Sequence, residues 1–316
     1  MKCLLLAALA AVIAHPCAAQ TAASSEVEIA GPLKATMVKP AGVARPPVVV
    51  ILPGSGPTDR DGNNPYGVKG STYRLLAEGL AAEGVASVRM DKRGMFANAG
   101  AAADPNRVFI DDLAADALAW AAKARAETGA PCAWLAGHSE GSLVALVAAH
   151  KGEGVCGLIL LSGGGRPYGT VLRAQLQANP ANGPLMGQAL PALEALEAGK
   201  RADTTGMHPA LLSLFHPAVQ DFLINAMSKD PAKLIALYKG PVLILQGSTD
   251  VQVTVEDANL LKAAQPKATL TILKGVNHLL KDAPADRAAN LATYADPTLP
   301  PSPQVAPAIA GFIKAH

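Results

Sequence analysis

Charge is scarce in this chain. Asp, Glu, Lys and Arg supply 16% of its 316 residues and leave a formal balance of only +2. A protein that holds nucleic acid or an anionic membrane surface needs a basic face, and so sparse and mixed a set of ions does not make one. The implied partner is small and neutral. Internal repeats and low-complexity tracts are also missing, so the length points to one large α/β domain with an insertion, or to two smaller domains. Cysteine is rare, with 4 in all, and two of these, Cys3 and Cys17, fall at the extreme N-terminus.

That N-terminus, MKCLLLAALAAVIAHPCAAQ, has one lysine, an apolar run from Leu4 to Ala14, a breaker at Pro16 and the small residues Ala18 and Ala19. This is the layout of a secretory signal peptide over residues 1–19, cleaved after Ala19, and it predicts a periplasmic or secreted protein. The apolar run is too short for a comfortable permanent span, so no stable membrane insertion is expected after cleavage. An uncleaved anchor fits less well because small residues follow the run. Cys17 is a poor lipidation site behind Ala14, His15 and Pro16. Export would leave Cys132 and Cys156 where a disulfide persists. Each opens a strand-like run, CAWLAG and CGLILLS. Either a bond between neighbouring strands or two buried thiols fits that placement.

Apolar strand-like runs alternate with helical ones through most of the remaining chain. PPVVVILPG has the unbroken β-branched character of a strand buried on both faces. STYRLLAEGLAAEG reads as an amphipathic helix, VASVRMD as a strand, VFIDDLAADALAWAAKARAETG as a long helix, CAWLAGHS as a strand, EGSLVALVAAHKGEG as a helix and CGLILLSGG as a strand. The β-α-β-α order argues for a doubly wound, mostly parallel sheet. The rhythm stops over 166–238, a stretch of helix formers broken by Pro and Asn, and resumes with GPVLILQGSTD, the helix VTVEDANLLKAAQP and the strand ATLTILKG. The division is therefore a core of residues 26–165 and 239–316 with a helical insertion at 166–238. A long surface loop is expected over 281–303, ahead of a short final helix.

Within WLAGHSEGSL, Gly137 to Gly141 spell G-x-S-x-G. In a chain with 29 glycines the pattern alone is weak, and its context decides. Ser139 lies between an expected strand and an expected helix, where a sharp turn lifts a hydroxyl above the sheet and Gly137 and Gly141 leave room for close backbone approach. A serine is a poor nucleophile unless an imidazole takes its proton and a carboxylate orients that imidazole. In this fold the expected chain order is serine, acid, histidine. Only His278 and the terminal His316 lie beyond the resumed strand, and His278 follows ATLTILKG on a loop at the strand's carboxyl end. Asp250 closes PVLILQGSTD in the matching place for the acid, or else caps the next helix. Glu256 and Asp257 fall inside that helix. The oxyanion donors expected are the N–H groups of Glu140 and of Ser55 in LPGSGPTDRDGN, where Gly54 and Gly56 let the backbone approach a substrate oxygen. That loop completes neither a G-x-G-x-x-G nor a Walker lysine pattern. Arg60, Asp61, Asp91 and Arg93 are read either as a buried ion network bracing the oxyanion loop or as two solvated turns. His138 is a structural neighbour rather than a second base.

LPGSGPTDRDGN, MDKRG, GHSEG, GSTD and VNH, in that order, resemble the α/β-hydrolase superfamily, and most closely bacterial exported carboxylesterases related to the serine aminopeptidase-type hydrolases. The resemblance runs from about Glu26 to the C-terminus. It implies an α/β-hydrolase fold: a mostly parallel sheet of the eight-stranded type, helices on both faces, and a helical lid inserted after the sixth strand and lying over the site. It implies that Ser139, Asp250 and His278 form the triad and that Ser55 and Glu140 line the oxyanion hole. The reaction expected is cleavage of a small-molecule ester through an acyl-enzyme, with no metal or organic cofactor. Leu185, Leu190, Leu211, Leu214 and Phe215 suggest a small apolar acyl pocket, or simply packing within the lid. An aminopeptidase would need a carboxylate for the substrate's amine, which makes the side chain of Glu140 the open question. A non-catalytic binding protein on the same scaffold is the remaining alternative.

Overall fold

The computed structural model describes residues 23–28 and 33–316; the leader 1–19 and its cleavage point lie outside the described residues. Strands β1 (Ala23–Glu28), β2 (Lys34–Lys39) and β3 (Val48–Leu52) are followed by helix α1 (Thr72–Ala82) and strand β4 (Ala86–Met90). Helix α2 (Ile110–Thr128), strand β5 (Ala133–His138), helix α3 (Glu140–Ala149) and strand β6 (Val155–Leu161) come next. Five helices then intervene: α4 (Tyr168–Gln177), α5 (Met186–Glu197), α6 (Pro209–Phe215), α7 (Gln220–Met227) and α8 (Pro231–Leu237). The sheet resumes with β7 (Val242–Gly247), helix α9 (Val255–Ala264) and β8 (Thr269–Leu273), before α10 (Arg287–Ala292) and α11 (Val305–Ala315).

The eight strands form one sheet in the order β1-β2-β4-β3-β5-β6-β7-β8. From β4 to β8 every pairing is parallel, with Val50 opposite Leu135 and Leu52 opposite Gly137. The sequence reading did not pick out β1 and β2, which pair antiparallel and attach antiparallel to β4. Side chains alternate along β3 as a pleated strand requires. Val48, Val50 and Leu52 pack with Ile110, Trp120 and Leu146 beneath α2 and α3, while Val49 and Ile51 pack with Leu76, Leu80 and Ile309 beneath α1 and α11. Both faces of the sheet are covered, which is why the central strands read as unbroken apolar runs. Among the described residues no helix is long and apolar enough to cross a membrane.

The inserted helices have a core of their own, in which Leu211 and Phe215 are buried with Leu193, Leu196 and Leu223. Arg166 fastens the start of the insertion to α9 through the fully buried Asp257, with Nε 2.9 Å from Oδ1 and Nη2 2.6 Å from Oδ2. One expectation needs correcting. The stretch 281–303 is not structureless: it contains α10 and a 3-10 turn at Thr293–Ala295. Asp286 caps α10 by accepting from the Ala289 N–H at 2.9 Å.

A disulfide joins Cys132 and Cys156 across adjacent parallel strands, with their Cα atoms 5.1 Å apart. Ala133 pairs with Val155 but Trp134 pairs with Gly157, so Cys156 is the extra residue of a bulge. The bulge re-aims the side chain and allows a bridge that regular parallel register hinders. The closed loop spans a sequence separation of 24. Replacing both cysteines by serine should therefore cost about 3 kcal/mol of folding stability, read as a lower urea midpoint. An unchanged midpoint would show that the bond contributes nothing.

Candidate active site

The serine is set by backbone geometry. Ser139 has φ 54° and ψ −119°, a conformation that a side chain bearing a Cβ adopts only when its surroundings impose it. Two glycines make this possible. A Cβ on Gly137 would lie 2.1 Å from the Gly141 carbonyl oxygen, and one on Gly141 would lie 2.3 Å from the Leu52 carbonyl oxygen. The turn is thus compressed between the ends of β3 and β5 and the first turn of α3. The Ser139 N–H is held by the Leu161 carbonyl at 2.9 Å. The side chain is left at the mouth of a cleft of about 330 Å³ that it shares with His278, Gly54 and Ser55.

His278 lies on the loop after β8, and its Nδ1 is 2.8 Å from Asp250 Oδ2 on the loop after β7. Both residues are buried, at 4% and 8% exposure. Asp250 Oδ1 also accepts from the N–H groups of Gln252 (2.8 Å) and Val253 (2.9 Å), and Oδ2 accepts from Gln246 Nε2 at 3.2 Å. Burial alone would push this carboxyl up, but the imidazole and the two backbone N–H groups outweigh it and hold Asp250 below the usual carboxylate range. An ionised Asp250 fixes the ring, with Nδ1 as donor and Nε2 free to accept. The His278 loop is clamped by Asn277, whose side-chain oxygen accepts from the N–H groups of Leu279 (3.0 Å) and Lys281 (3.1 Å). Asn290, in α10, donates to the Thr249 carbonyl at 2.8 Å, next to Asp250.

A relay that the sequence reading did not anticipate runs beneath these residues. The Gly54 N–H donates to the Tyr73 hydroxyl at 3.0 Å, and that hydroxyl lies 2.8 Å from His138 Nδ1. His138 Nε2 is 2.7 Å from the His278 carbonyl oxygen, so it carries the proton and donates. Nδ1 then accepts from Tyr73, whose hydroxyl burial keeps protonated. His138 lines the same cleft, but both of its ring nitrogens are already bonded, and it links the Gly54 loop, the serine turn and the His278 loop. Burial, and secondarily the charge of His278, pushes its pKa down from 6.5 to about 3.

The remaining expected residues fall in several places. Glu140 begins α3, so its N–H is one of the helix's amino-terminal donors without an intrahelical partner, at the positive end of the dipole. Ser55 lines the same cavities, and Gly56 beside it has φ 69°. Arg60, Asp61, Asp91 and Arg93 do not form one network. Arg60 pairs with the buried Asp91 through Nη2 at 2.8 Å and Nε at 3.1 Å, and its N–H donates to Oδ1 at 2.8 Å. This ties the loop after β3 to the residue that follows β4. Asp61 pairs instead with Arg89, and Arg93 reaches Asp116 on α2. Arg60 and Asp61 are consecutive, so their side chains leave the loop in different directions and meet different partners. Lys92 lies between two of the expected residues and is not among them; its Nζ is 2.9 Å from Glu140 Oε1.

Residues 66–282 match the family described as serine aminopeptidase, S33. The esterase EstD of Thermotoga maritima is 27% identical over 248 residues, which cover 76% of this chain and 56% of that protein; the chain thus spans little more than half the length of this curated relative. Est1E from Butyrivibrio proteoclasticus superposes with a TM-score of 0.54 at 16% identity, over 94% of this chain and 100% of that one. A puromycin-hydrolyzing peptidase of Mycobacterium tuberculosis superposes with a TM-score of 0.57 at 17% identity, over 95% of this chain and 40% of that one. At such identities the two structures speak for the fold alone, which is that of the α/β hydrolases.

The depressed pKa of His138 makes a signed prediction. Between about pH 6.5 and 3 the unfolded chain binds a proton at this residue that the folded chain refuses, so stability should fall as pH falls through that window. The slope approaches about 1.4 kcal/mol per pH unit. Asp250 acts in the same direction, but only once the pH falls below its ordinary value of 3.8. Urea unfolding at pH 6.5, 5.5 and 4.5 should show the loss, and His138→Asn should flatten it. An equal slope in the variant would contradict the assignment.

Proposed function

Because the chain belongs to the serine aminopeptidase (S33) family of α/β hydrolases, we propose that it is a serine hydrolase that cleaves small-acyl carboxylic esters through an acyl-enzyme on Ser139. The observation that carries this reading is the convergence of a strained, accessible serine and an Asp250-bonded imidazole on one cleft. His278 Nε2 takes the Ser139 proton as Oγ attacks the ester carbonyl. The resulting oxyanion is met by the N–H groups of Glu140 and Ser55, and collapse expels the alcohol, protonated by His278. Water, deprotonated by the same imidazole, then releases the acid. Asp250 stays ionised throughout and stabilises the imidazolium.

A short acyl group is favoured by the cavity beside Ser139. It holds about 70 Å³ and is walled by Leu143, Val171, Leu172 and Val253, with room for only a few heavy atoms. The alcohol side has the open 330 Å³ cleft. Against an aminopeptidase stands the burial of Glu140: the residue is 4% exposed and its Oε1 is paired with a buried lysine, so little of the carboxylate is offered to a substrate amine. Export to an oxidising compartment belongs to the same proposal. It is supported by the leader sequence and by a disulfide that reducing cytosol would not maintain.

Ser139→Ala should lower turnover of p-nitrophenyl acetate and butyrate at least 10³-fold while leaving the thermal midpoint within a few degrees. Rates on aminoacyl anilides should be far below those on the esters. Retained ester turnover in the alanine variant would refute the nucleophile, and a preference for anilides would refute the esterase.

A further inference from the structure

Glu140 puts a carboxylate directly after the nucleophile, in a residue whose N–H is asked to hold an oxyanion. A buried anion there opposes the very charge that the reaction develops. The residue is 4% exposed, so water does not screen it. What faces it is Lys92, at the end of β4 and 7% exposed, with Nζ 2.9 Å from Oε1. The same ammonium donates to the Gly56 carbonyl at 3.3 Å, next to Ser55. Tyr168 lines the same cavities as Ser55 and Glu140. One cation therefore bonds both Glu140 and the residue that follows Ser55, in the lining of a 640 Å³ cavity under the lid.

We infer that Lys92 is a positioning residue for catalysis: its buried ammonium cancels the Glu140 carboxylate and pins the Gly56 carbonyl, so that the oxyanion at Ser139 meets N–H dipoles and not an uncompensated anion. The inference rests on the serine-hydrolase reading, but it concerns charge and not the identity of the substrate. It predicts an asymmetry. Removing the lysine leaves an anion next to the oxyanion, whereas removing the carboxylate leaves a cation. A salt bridge that merely held the fold together would make the two losses alike.

Lys92→Met and Glu140→Gln are compared by kcat on a p-nitrophenyl ester and by the rate at which a fluorophosphonate modifies Ser139. Lys92→Met should be at least tenfold slower than Glu140→Gln in both, with KM within about twofold of the parent protein. A unit charge in a partly screened interior is worth roughly ten- to a hundredfold in rate. Equal losses, or a slower Glu140→Gln, would overturn the inference. Should Lys92→Met fail to fold, the neutral double variant Lys92→Met/Glu140→Gln decides. A kcat within tenfold of the parent supports charge cancellation, and a larger loss overturns it. If the parent is modified at Ser139 yet hydrolyses no ester, the esterase reading fails, and the phosphonylation rates still decide the role of Lys92. A parent not modified at Ser139 removes both.

Discussion

A serine with φ 54° is a local defect that the rest of the structure has to hold in place. The backbone would relax to an ordinary conformation if it could, and such strain persists only where neighbouring elements over-determine the turn. Here the determinants are steric. Three main-chain segments meet so closely around Gly137 and Gly141 that neither position tolerates even a methyl group. That contact needs β3, β5 and α3 in fixed register, which the parallel sheet and its two covered faces supply. The large hydrophobic core therefore serves a small end: it keeps one hydroxyl raised above the sheet in a conformation the chain would not choose.

Electrostatics then arranges what packing has brought together. Three buried polar contacts converge within the same few residues, and each fixes a different degree of freedom. Asp250 sets the ring of His278. The chain from Gly54 through Tyr73 and His138 to the His278 carbonyl joins the oxyanion loop to the histidine loop, and it uses a neutral imidazole to do so. The Lys92–Glu140 pair holds the residue that directly follows Ser139. Buried ion pairs are weak arguments for stability, because desolvation offsets much of their attraction. That makes a role in the reaction the stronger reason for one to sit here.

Much of this could be read from residues in order. Ser139 and Asp250 each follow the apolar run of a buried strand, His278 follows the edge strand β8, and the α/β topology puts such positions at one end of the sheet. Side-chain partnerships across the fold were not legible in the same way. Tyr73 sits in an amphipathic helical pattern and looks like any core aromatic, and its partner His138 is 65 residues away in the chain. Lys92 was hidden between Asp91 and Arg93, residues that drew attention as charges, yet the three go to three different partners. The strands β1 and β2 lie at the antiparallel edge, where no long apolar run marks them, and α10 is one short helix in a proline-rich stretch. Bulges follow the same logic: nothing in CAWLAG or CGLILLS announces that Cys156 steps out of register to reach Cys132.

The central claim is that Ser139 carries the acyl group between two half-reactions. The most direct measurement is intact-protein and peptide mass spectrometry on the enzyme quenched with acid during turnover of p-nitrophenyl butyrate. The account predicts a butyryl mass increment confined to the peptide containing Ser139, and its disappearance once substrate is exhausted. Hydrolysis proceeding with a persistently unmodified protein, or with the acyl group on another residue, would contradict it.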